Sequence, residues 1–401
     1  MDGGEMTDDL HGGRVRRLRI SAGLSQTELG KLLSIPTTLV SKIENDRHPA
    51  DSSLARNLIE RFGCSVELLS KPIPETLYTR PWLRAYTDAS KRRVDQYIED
   101  TLLAVEAIQS MKLRLMPDLL PMFDDDPDDD RAIEDYAEEV RHAADIAVGG
   151  VVRNATRAVE RLGCIVLPMA DELGRHLGLS MRVDDIPAVR VARPRAFPGL
   201  SVAGDRQRFT TVHELGHLAL HASMPPPETA LEAKRIENQA NRFAGAFLTP
   251  AEPLLGDLDA LGGRATLNTL AHLKQRWGVA IKALVIRFRE LGLIDEDHAR
   301  SLYKQISARG WNTSEPIDVG QERAVWFSKA ISKTFGDGGA EAFAAASGLP
   351  LSRVEDWLNW EPLIVRPDGA KVIQLQTRGA GPHVAFGDAA TVTHLPIRPR
   401  R

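Results

Sequence analysis

The chain has 401 residues, which is long for one domain and predicts two or three. Hydrophobic residues make up 43% and charged residues 26%, and the net charge of -4 excludes a polycation, so nucleic-acid contact would require a local basic patch. Two cysteines exclude a disulfide scaffold and a cysteine-based zinc finger, and they favour a reduced, cytoplasmic setting. No apolar run reaches the roughly 18 to 20 residues that span a bilayer, so we expect no membrane partner.

Residues 1–10 are acidic and contain glycine, and we expect them to be disordered. Residues 11–70 have the pattern of a compact helical domain with a helix-turn-helix. A helix over 24–33 begins with a capping box of Ser25 and Glu28, and a turn at 34–36 leads to a second helix over 37–45. Residues 11–62 hold nine Lys and Arg against five Asp and Glu, a local charge of +4 that suits phosphate contact.

Three motifs make residues 14–69 similar to the Xre/Cro-type repressor domain: Gly-Leu-Ser-Gln at 23–26, Ser-Lys-Ile-Glu at 41–44 and Cys-Ser-Val-Glu-Leu at 64–68. The resemblance implies binding to double-stranded DNA. It assigns backbone contacts to Arg16 and Gln26 and major-groove contacts to Thr37, Thr38, Ser41 and Lys42. Three positions depart from the pattern: Ser34, Pro36 and Leu39. The alternative is a helical module for dimerisation or for docking a similar repressor; the usual pairing of such modules makes a homodimer the candidate assembly.

Residues 71–130 are predicted to be a linker and a helical strap. Three prolines mark 71–92 as the linker, and a helix is expected over 91–112. The acidic run at 123–130 is expected to be a solvated loop, and its aspartates favour the start of a helix near residue 131.

Residues 131–316 mix helices with short strands, which predicts an α+β domain. The expected elements, in chain order, are two helices over 131–165, β-like runs at 164–169, 177–183 and 188–192, a helix over 209–220, a helix over about 227–247, and two or three helices over 266–309.

The sequence His-Glu-Leu-Gly-His at 213–217 is the strongest chemical motif in the chain. On a helix, His213 and His217 lie on one face and can offer two imidazole nitrogens to one zinc ion, and Glu214 is placed to take a proton from a water at the metal. His221 continues the spacing, but on an unbroken helix it lies about 12 Å along the axis from His213 and cannot join the same ion. We expect it to face the helix dipole or the substrate cleft.

Zinc needs a third protein ligand, and Glu237 on the following helix is the preferred candidate. An antiparallel helix pair would bring it opposite the two histidines. Asn241, one turn later, could hold a ligating imidazole through its second nitrogen. Two other acids, Glu228 and Glu232, remain alternatives. The motif histidines could also simply face solvent or a polar pocket.

The segment 208–221, the run Glu-x-x-Ala-Asn-x-Phe-Ala at 237–244 and Phe-Leu-Thr-Pro at 247–250 resemble the ImmA/IrrE family of metallo-endopeptidases, over about residues 130–316. The resemblance implies a gluzincin-like zinc site with His213, His217 and Glu237 as ligands and Glu214 as general base. It also implies a protein substrate, typically a repressor. The residue types alone do not identify the oxyanion donor; His221 and Arg208 are the candidates, and the alternative is that both are packing or surface residues. Gln239 stands where an acid is common and Thr249 where Met is common.

Residues 317–401 carry no chemical motif. A helical region is expected over 321–360, a hairpin over 363–375 and a loose basic tail over 396–401, and a sensor role is a hypothesis from architecture alone. The whole sequence predicts a mainly α protein with a small β component. We expect a cytoplasmic zinc endopeptidase, from a bacterium or a phage, that regulates transcription by cleaving a repressor and binds DNA itself. The alternative is a non-catalytic DNA-binding regulator or antitoxin-like protein with a structural or vestigial zinc site.

Overall fold

The computed structural model describes residues 10–49, 51–81, 91–170, 173, 176–196, 203–222, 224–225 and 227–364. These residues form seventeen helices and five short strands, which confirms the mainly α prediction with a small β component. None of the described helices has the length and apolar character that a membrane span requires. The predicted loose ends at 1–9 and 396–401 and the predicted hairpin beyond residue 364 lie outside the described residues.

Five helices form the N-terminal bundle: α1 (Gly12–Ser21), α2 (Gln26–Leu33), α3 (Thr37–Glu44), α4 (Ser52–Phe62) and α5 (Val66–Ser70). The predicted capping box at the start of α2 is confirmed, since the Glu28 backbone N–H donates to Ser25 Oγ at 3.1 Å and the Ser25 N–H donates to Glu28 Oε2 at 2.7 Å. Ser34, in the left-handed region at φ 57°, makes the turn where a glycine is usual.

The long helix α6 (Lys91–Ser110) holds this bundle through ion pairs with α1. Arg14 is fully buried and its Nη1 lies 2.7 Å from Glu106 Oε2, while Arg17 Nε lies 3.0 Å from Glu99 Oε2. These arginines therefore face the protein interior, and part of the local positive charge is neutralised within the fold.

A three-stranded sheet separates two hydrophobic cores. Its strands are β1 (Ile165–Met169), β2 (Gly178–Val183) and β3 (Ile186–Ala192), in the order β1-β3-β2. The central strand β3 pairs in parallel with β1 and antiparallel with β2. Because strand side chains alternate, Ile165 and Leu167 join the core of the N-terminal bundle and α6, while Val166 joins the core beneath.

Eight helices surround that second core: α7 (Asp130–Ala143), α8 (Ala155–Arg161), α9 (Gly204–Leu220), α10 (Ala230–Leu248), α11 (Ala251–Ala260), α12 (Leu267–Trp277), α13 (Ile281–Glu290) and α14 (Glu296–Ala308). The predicted acidic start of α7 is confirmed, because Asp129 caps the helix by accepting from the Arg131 N–H at 2.8 Å. Helix α9 begins about one turn earlier than the apolar pattern predicted.

The remaining elements are α15 (Trp326–Phe335), α16 (Gly339–Ser347) and α17 (Leu351–Leu358), with the short parallel pair β4 (Arg195–Ala196) and β5 (Leu363–Ile364). Helix α17 is tied to α6 and β3 through Asp100, which accepts from Arg190 Nη2 at 2.7 Å, Arg353 Nη1 at 2.5 Å and Trp357 Nε1 at 2.9 Å. The helices after residue 325 thus share one core with the N-terminal bundle. The domain boundaries drawn from the sequence stay predictions.

Candidate metal centre

Two packed helices bring together the side chains of the motif. Helix α9 carries the two histidines on one face. Helix α10 begins with a capping box of Thr229 and Glu232, which was not predicted from the sequence. The glycine between the histidines lets the helices approach closely. A Cβ at Gly216 would lie 3.0 Å from Phe243 Cδ1 and 3.3 Å from Ala240 Cα, so a larger side chain would push α10 away.

The imidazoles of α9 and one carboxylate of α10 converge on a common point. His213 Nε2 and His217 Nε2 are 3.1 Å apart, and Glu237 places Oε2 3.6 Å from the first and Oε1 3.8 Å from the second. Zinc bonds of about 2.0–2.2 Å at tetrahedral angles put neighbouring ligand atoms about 3.3–3.5 Å apart. The donor set therefore fits a zinc ion, with both histidines using the same ring nitrogen.

Each of these imidazoles is oriented through its other nitrogen. His213 Nδ1 lies 3.0 Å from Asn241 Oδ1, and His217 Nδ1 lies 3.1 Å from His221 Nδ1. Such contacts fix ring orientation at metal sites. The structure thus places Asn241 and His221 directly behind the proposed ligands; His221 itself points away from the convergence point, as its helical position required.

Burial keeps the histidines neutral. It lowers the pKa of His213 to about 4, against the hydrogen bond that His213 donates to Asn241, which raises it. Burial also lowers the pKa of His217 well below the usual range, and the neighbouring His213 adds to that shift. Neutral imidazole is the form that binds a metal. Around pH 7 these side chains are therefore ready to act as ligands.

Glu214 lies between the motif helix and the edge strand β2. Its Oε2 accepts a hydrogen bond from Ser180 Oγ at 2.7 Å. A Cβ at Gly178 would lie 2.7 Å from Glu214 Cγ, so only glycine allows the strand this close. Burial raises the pKa of Glu214 to about 8, Ser180 opposes that rise and the charge of Glu237 adds to it. Sequence reasoning missed Ser180, because no local pattern links it to a residue 34 positions later.

A cavity of 1220 Å³ opens beside the centre. It runs between the end of β3 and the helices α9, α10 and α13, and its lining includes Phe209, Thr210, Asn241 and Arg242. The three ligand candidates are not among its described lining residues, and Asn241 connects the two, because it lines the cavity and contacts the His213 imidazole. The cavity is large enough for several residues of a polypeptide.

Arg208 does not join the centre. Its Nη1 donates to Glu322 Oε1 at 2.6 Å and its Nη2 donates to the Val152 carbonyl at 2.5 Å, and the residue is buried. The guanidinium therefore ties α9 to two distant segments of the chain, which corrects its assignment as a candidate oxyanion donor and agrees with the packing alternative. It contributes to packing.

The competing acids of α10 lie elsewhere. Glu232 belongs to the helix cap, where its Oε2 accepts from the N–H groups of Glu228 and Thr229 at 2.8 and 3.1 Å. The side chain of Glu228 is exposed. Among the acids considered, only Glu237 lies within reach of both imidazoles.

The helix-turn-helix presents part of its predicted DNA surface. Arg16, Thr37, Thr38 and Lys42 are exposed, and Ser41 is half-buried. The amide of Gln26 donates from Nε2 to Glu44 Oε2 at 2.8 Å, so this side chain is partly engaged within the bundle. The exposed residues of α3 lie on one side of a short helix, as groove contact requires.

These features define a helix-turn-helix protein whose second domain is built around a His-His-Glu cluster. The comparisons with known proteins agree. Residues 12–71 match the model of a helix-turn-helix domain, and residues 201–289 match that of the IrrE N-terminal-like domain, a peptidase family model. The chain therefore contains both domains, which confirms the two resemblances drawn from the motifs.

Two relatives extend over most of the chain. The HTH-type transcriptional regulator PrpR of Mycobacterium tuberculosis is 27% identical over 349 residues, which cover 73% of this chain and 69% of the relative. The propionyl-CoA carboxylase regulator of Cereibacter sphaeroides is 22% identical over 365 residues, or 77% of this chain and 75% of the relative. No solved structure gives a significant match.

Proposed function

We propose that the chain is a DNA-binding transcriptional regulator that also acts as a zinc-dependent endopeptidase on a repressor. The helix-turn-helix domain and the names of the two relatives support the regulatory part. The peptidase part rests on one observation, the convergence of His213 Nε2, His217 Nε2 and the Glu237 carboxylate next to the buried Glu214. The match to a peptidase family model supports the same part.

The three convergent side chains would hold the zinc ion, which supplies Lewis-acid catalysis when it is bound. Glu214 would move the proton: its carboxylate would accept one from the attacking water and give it to the leaving amine. The raised pKa of Glu214 belongs to the metal-free centre, and a cation beside it favours the ionised form. The adjacent cavity would seat the substrate polypeptide.

The peptidase proposal is tested by co-expressing the chain with a candidate repressor, taken from the genes next to its own, and immunoblotting that repressor. Wild type should produce fragments, and Glu214→Gln should leave the repressor whole because the amide cannot accept the proton. The matched control is Glu228→Gln, which changes an exposed acid of the same region and should cleave like wild type. A repressor that stays whole with wild type under every inducing condition would rule the proposal out.

DNA binding has a separate test, the salt dependence of affinity for an operator fragment. We expect Arg16→Ala to weaken binding at all sequences and to reduce the salt slope by about one, whereas Lys42→Ala should weaken binding to the operator more than binding to other sequences. The control is Lys304→Ala, which removes an exposed cation from α14, outside the helix-turn-helix. Equal slopes for all variants would contradict the proposed contacts.

A second candidate is a DNA-binding regulator whose zinc centre is not catalytic. The burial of Glu214, which raises its pKa to about 8, favours it, because a carboxylic acid that stays protonated cannot act as a base. Both relatives are named as regulators, and neither name mentions a peptidase. Retention of full transcriptional control and of zinc by Glu214→Gln would select this candidate over the first.

A further inference from the structure

A chain of hydrogen bonds leads from the metal centre to the acidic segment at 123–130. His217 Nδ1 lies 3.1 Å from His221 Nδ1, and His221 Nε2 lies 3.0 Å from Gln239 Oε1. The Gln239 amide nitrogen then donates to Asp128 Oδ1 at 2.7 Å. The second oxygen of Asp128 pairs with Arg235 at 2.8 Å, so the chain ends on a charge pair at the surface.

The chemistry of the last member sets the direction of every bond. A carboxylate only accepts, so Gln239 must turn its amide nitrogen toward Asp128 and its carbonyl oxygen toward His221. His221 must then donate from Nε2, which leaves its Nδ1 as an acceptor. His217 must donate from Nδ1, and its Nε2 therefore carries the lone pair.

That lone pair is the one aimed at the convergence point of the centre, since His217 Nε2 lies 3.1 Å from His213 Nε2 and 3.8 Å from Glu237 Oε1. The opposite tautomer of His217 would place a proton there and could not bind a metal. The three inner members of the chain are at most 5% exposed, so water competes little for these bonds.

We propose that His221, Gln239 and Asp128 are positioning residues that hold His217 in its metal-binding tautomer. Asp128 sets the direction of this chain of hydrogen bonds, which we call the relay. The proposal rests on the zinc centre of the proposed function. It also explains two features that the function left unused: the acidic segment before α7, and a glutamine at position 239 where an acid is common in similar sequences. An acid at 239 would set its carboxylate against that of Asp128.

The experiment measures zinc affinity by chelator competition on the full-length chain, and the visible absorption of its cobalt(II) form. We expect His221→Phe and Gln239→Leu to weaken zinc binding about 10- to 100-fold and to change the cobalt spectrum. In the double variant Gln239→Glu with Asp128→Asn, the new carboxylate at position 239 still accepts from His221. The new amide at position 128 donates to that carboxylate, so the double variant should bind zinc within a few-fold of wild type. His272→Phe, on an exposed histidine of α12, is the matched control.

The outcomes separate the relay from the centre itself. If wild type binds zinc and Gln239→Leu binds it equally tightly, or if the double variant is as weak as Gln239→Leu, the relay is wrong while the zinc centre stands. If wild type binds no zinc, the centre of the proposed function fails and the relay with it. Should His221→Phe not fold by circular dichroism, the comparison of the two Gln239 variants decides alone.

Discussion

Ser180 donates a hydrogen bond to Glu214 across 2.7 Å, from the edge strand β2 to the motif helix α9. The serine is buried and stabilises the charged form of the acid, against the effect of burial. This contact connects the sheet to the residue that is proposed to carry the proton. It makes the orientation of Glu214 depend on the register of β2.

Replacement of this serine should therefore impair proton transfer. Loss of a hydrogen bond to a charged group costs about 1.5–3 kcal/mol, so Ser180→Ala should raise the pKa of Glu214 further and reduce peptide hydrolysis at pH 7 by about tenfold or more. The acidic limb of the pH–rate profile should move to higher pH. Ser180→Thr keeps the hydroxyl and should retain the wild-type limb. An unchanged profile in Ser180→Ala would show that the contact is only structural.

The metal-free protein should lose stability between pH 6.5 and 8. Burial raises the pKa of folded Glu214 to about 8 from an ordinary 4.5. The stability that Glu214 contributes is therefore fully present below pH 4.5 and is lost as the pH rises toward 8. The buried histidines have lowered pKa values, and they cost stability only as the pH falls below 6.5.

Urea unfolding in the presence of a chelator measures this dependence. The loss from Glu214 should reach up to about 2 kcal/mol between pH 6.5 and 8. Glu214→Gln mimics the protonated acid and should flatten the curve in that window, whereas the exposed Glu228→Gln should not. Parallel curves for wild type and Glu214→Gln would contradict the raised pKa.

The sequence was sufficient for features that depend on local pattern. The spacing of His213 and His217 placed both on one helical face, and the proline break before α10 predicted the antiparallel helix that carries Glu237. The strands lie at the short β-like runs of the sequence, and the capping box of α2 followed from the side chains that satisfy helix N–H groups. These signals lie within about ten residues of one another.

Contacts between distant segments could not be predicted. Arg14 is one of the nine basic residues counted in residues 11–62, yet it is buried against Glu106, 92 positions away. Arg208 pairs with Glu322, 114 positions away, through a turn of chain that carries no motif. Local sequence patterns do not reveal which of the many charged side chains form ion pairs, because the pairing depends on how whole helices and strands pack together.

The glycine within the motif should be required for packing. Gly216→Ala puts a methyl group about 3 Å from Phe243 and Ala240, and overpacking of this kind costs about 1–3 kcal/mol. Gly256 provides the matched control, since it lies within α11 with no atom within 4 Å of an added Cβ. Gly256→Ala should leave stability unchanged or raise it by about 0.5–1 kcal/mol. Thermal unfolding of both variants measures the contrast, and equal effects would refute the close-approach explanation.

The identity of the third ligand gives the sharpest test of the centre. Glu237 alone among the three acids of its region reaches both imidazoles, whereas Glu232 serves the helix cap and Glu228 is exposed. We expect about one zinc per chain in wild type and in Glu228→Gln, and near none in Glu237→Gln, by metal analysis after dialysis.

Because the Glu232 side chain caps α10, we expect Glu232→Gln to retain zinc and to lower only the melting temperature. Because an amide oxygen is a far weaker zinc ligand than a carboxylate, the Glu237 substitution removes a donor without changing the volume of the side chain. Full zinc content in Glu237→Gln, together with loss in either of the other variants, would move the third ligand to another acid and overturn the assignment made from the geometry.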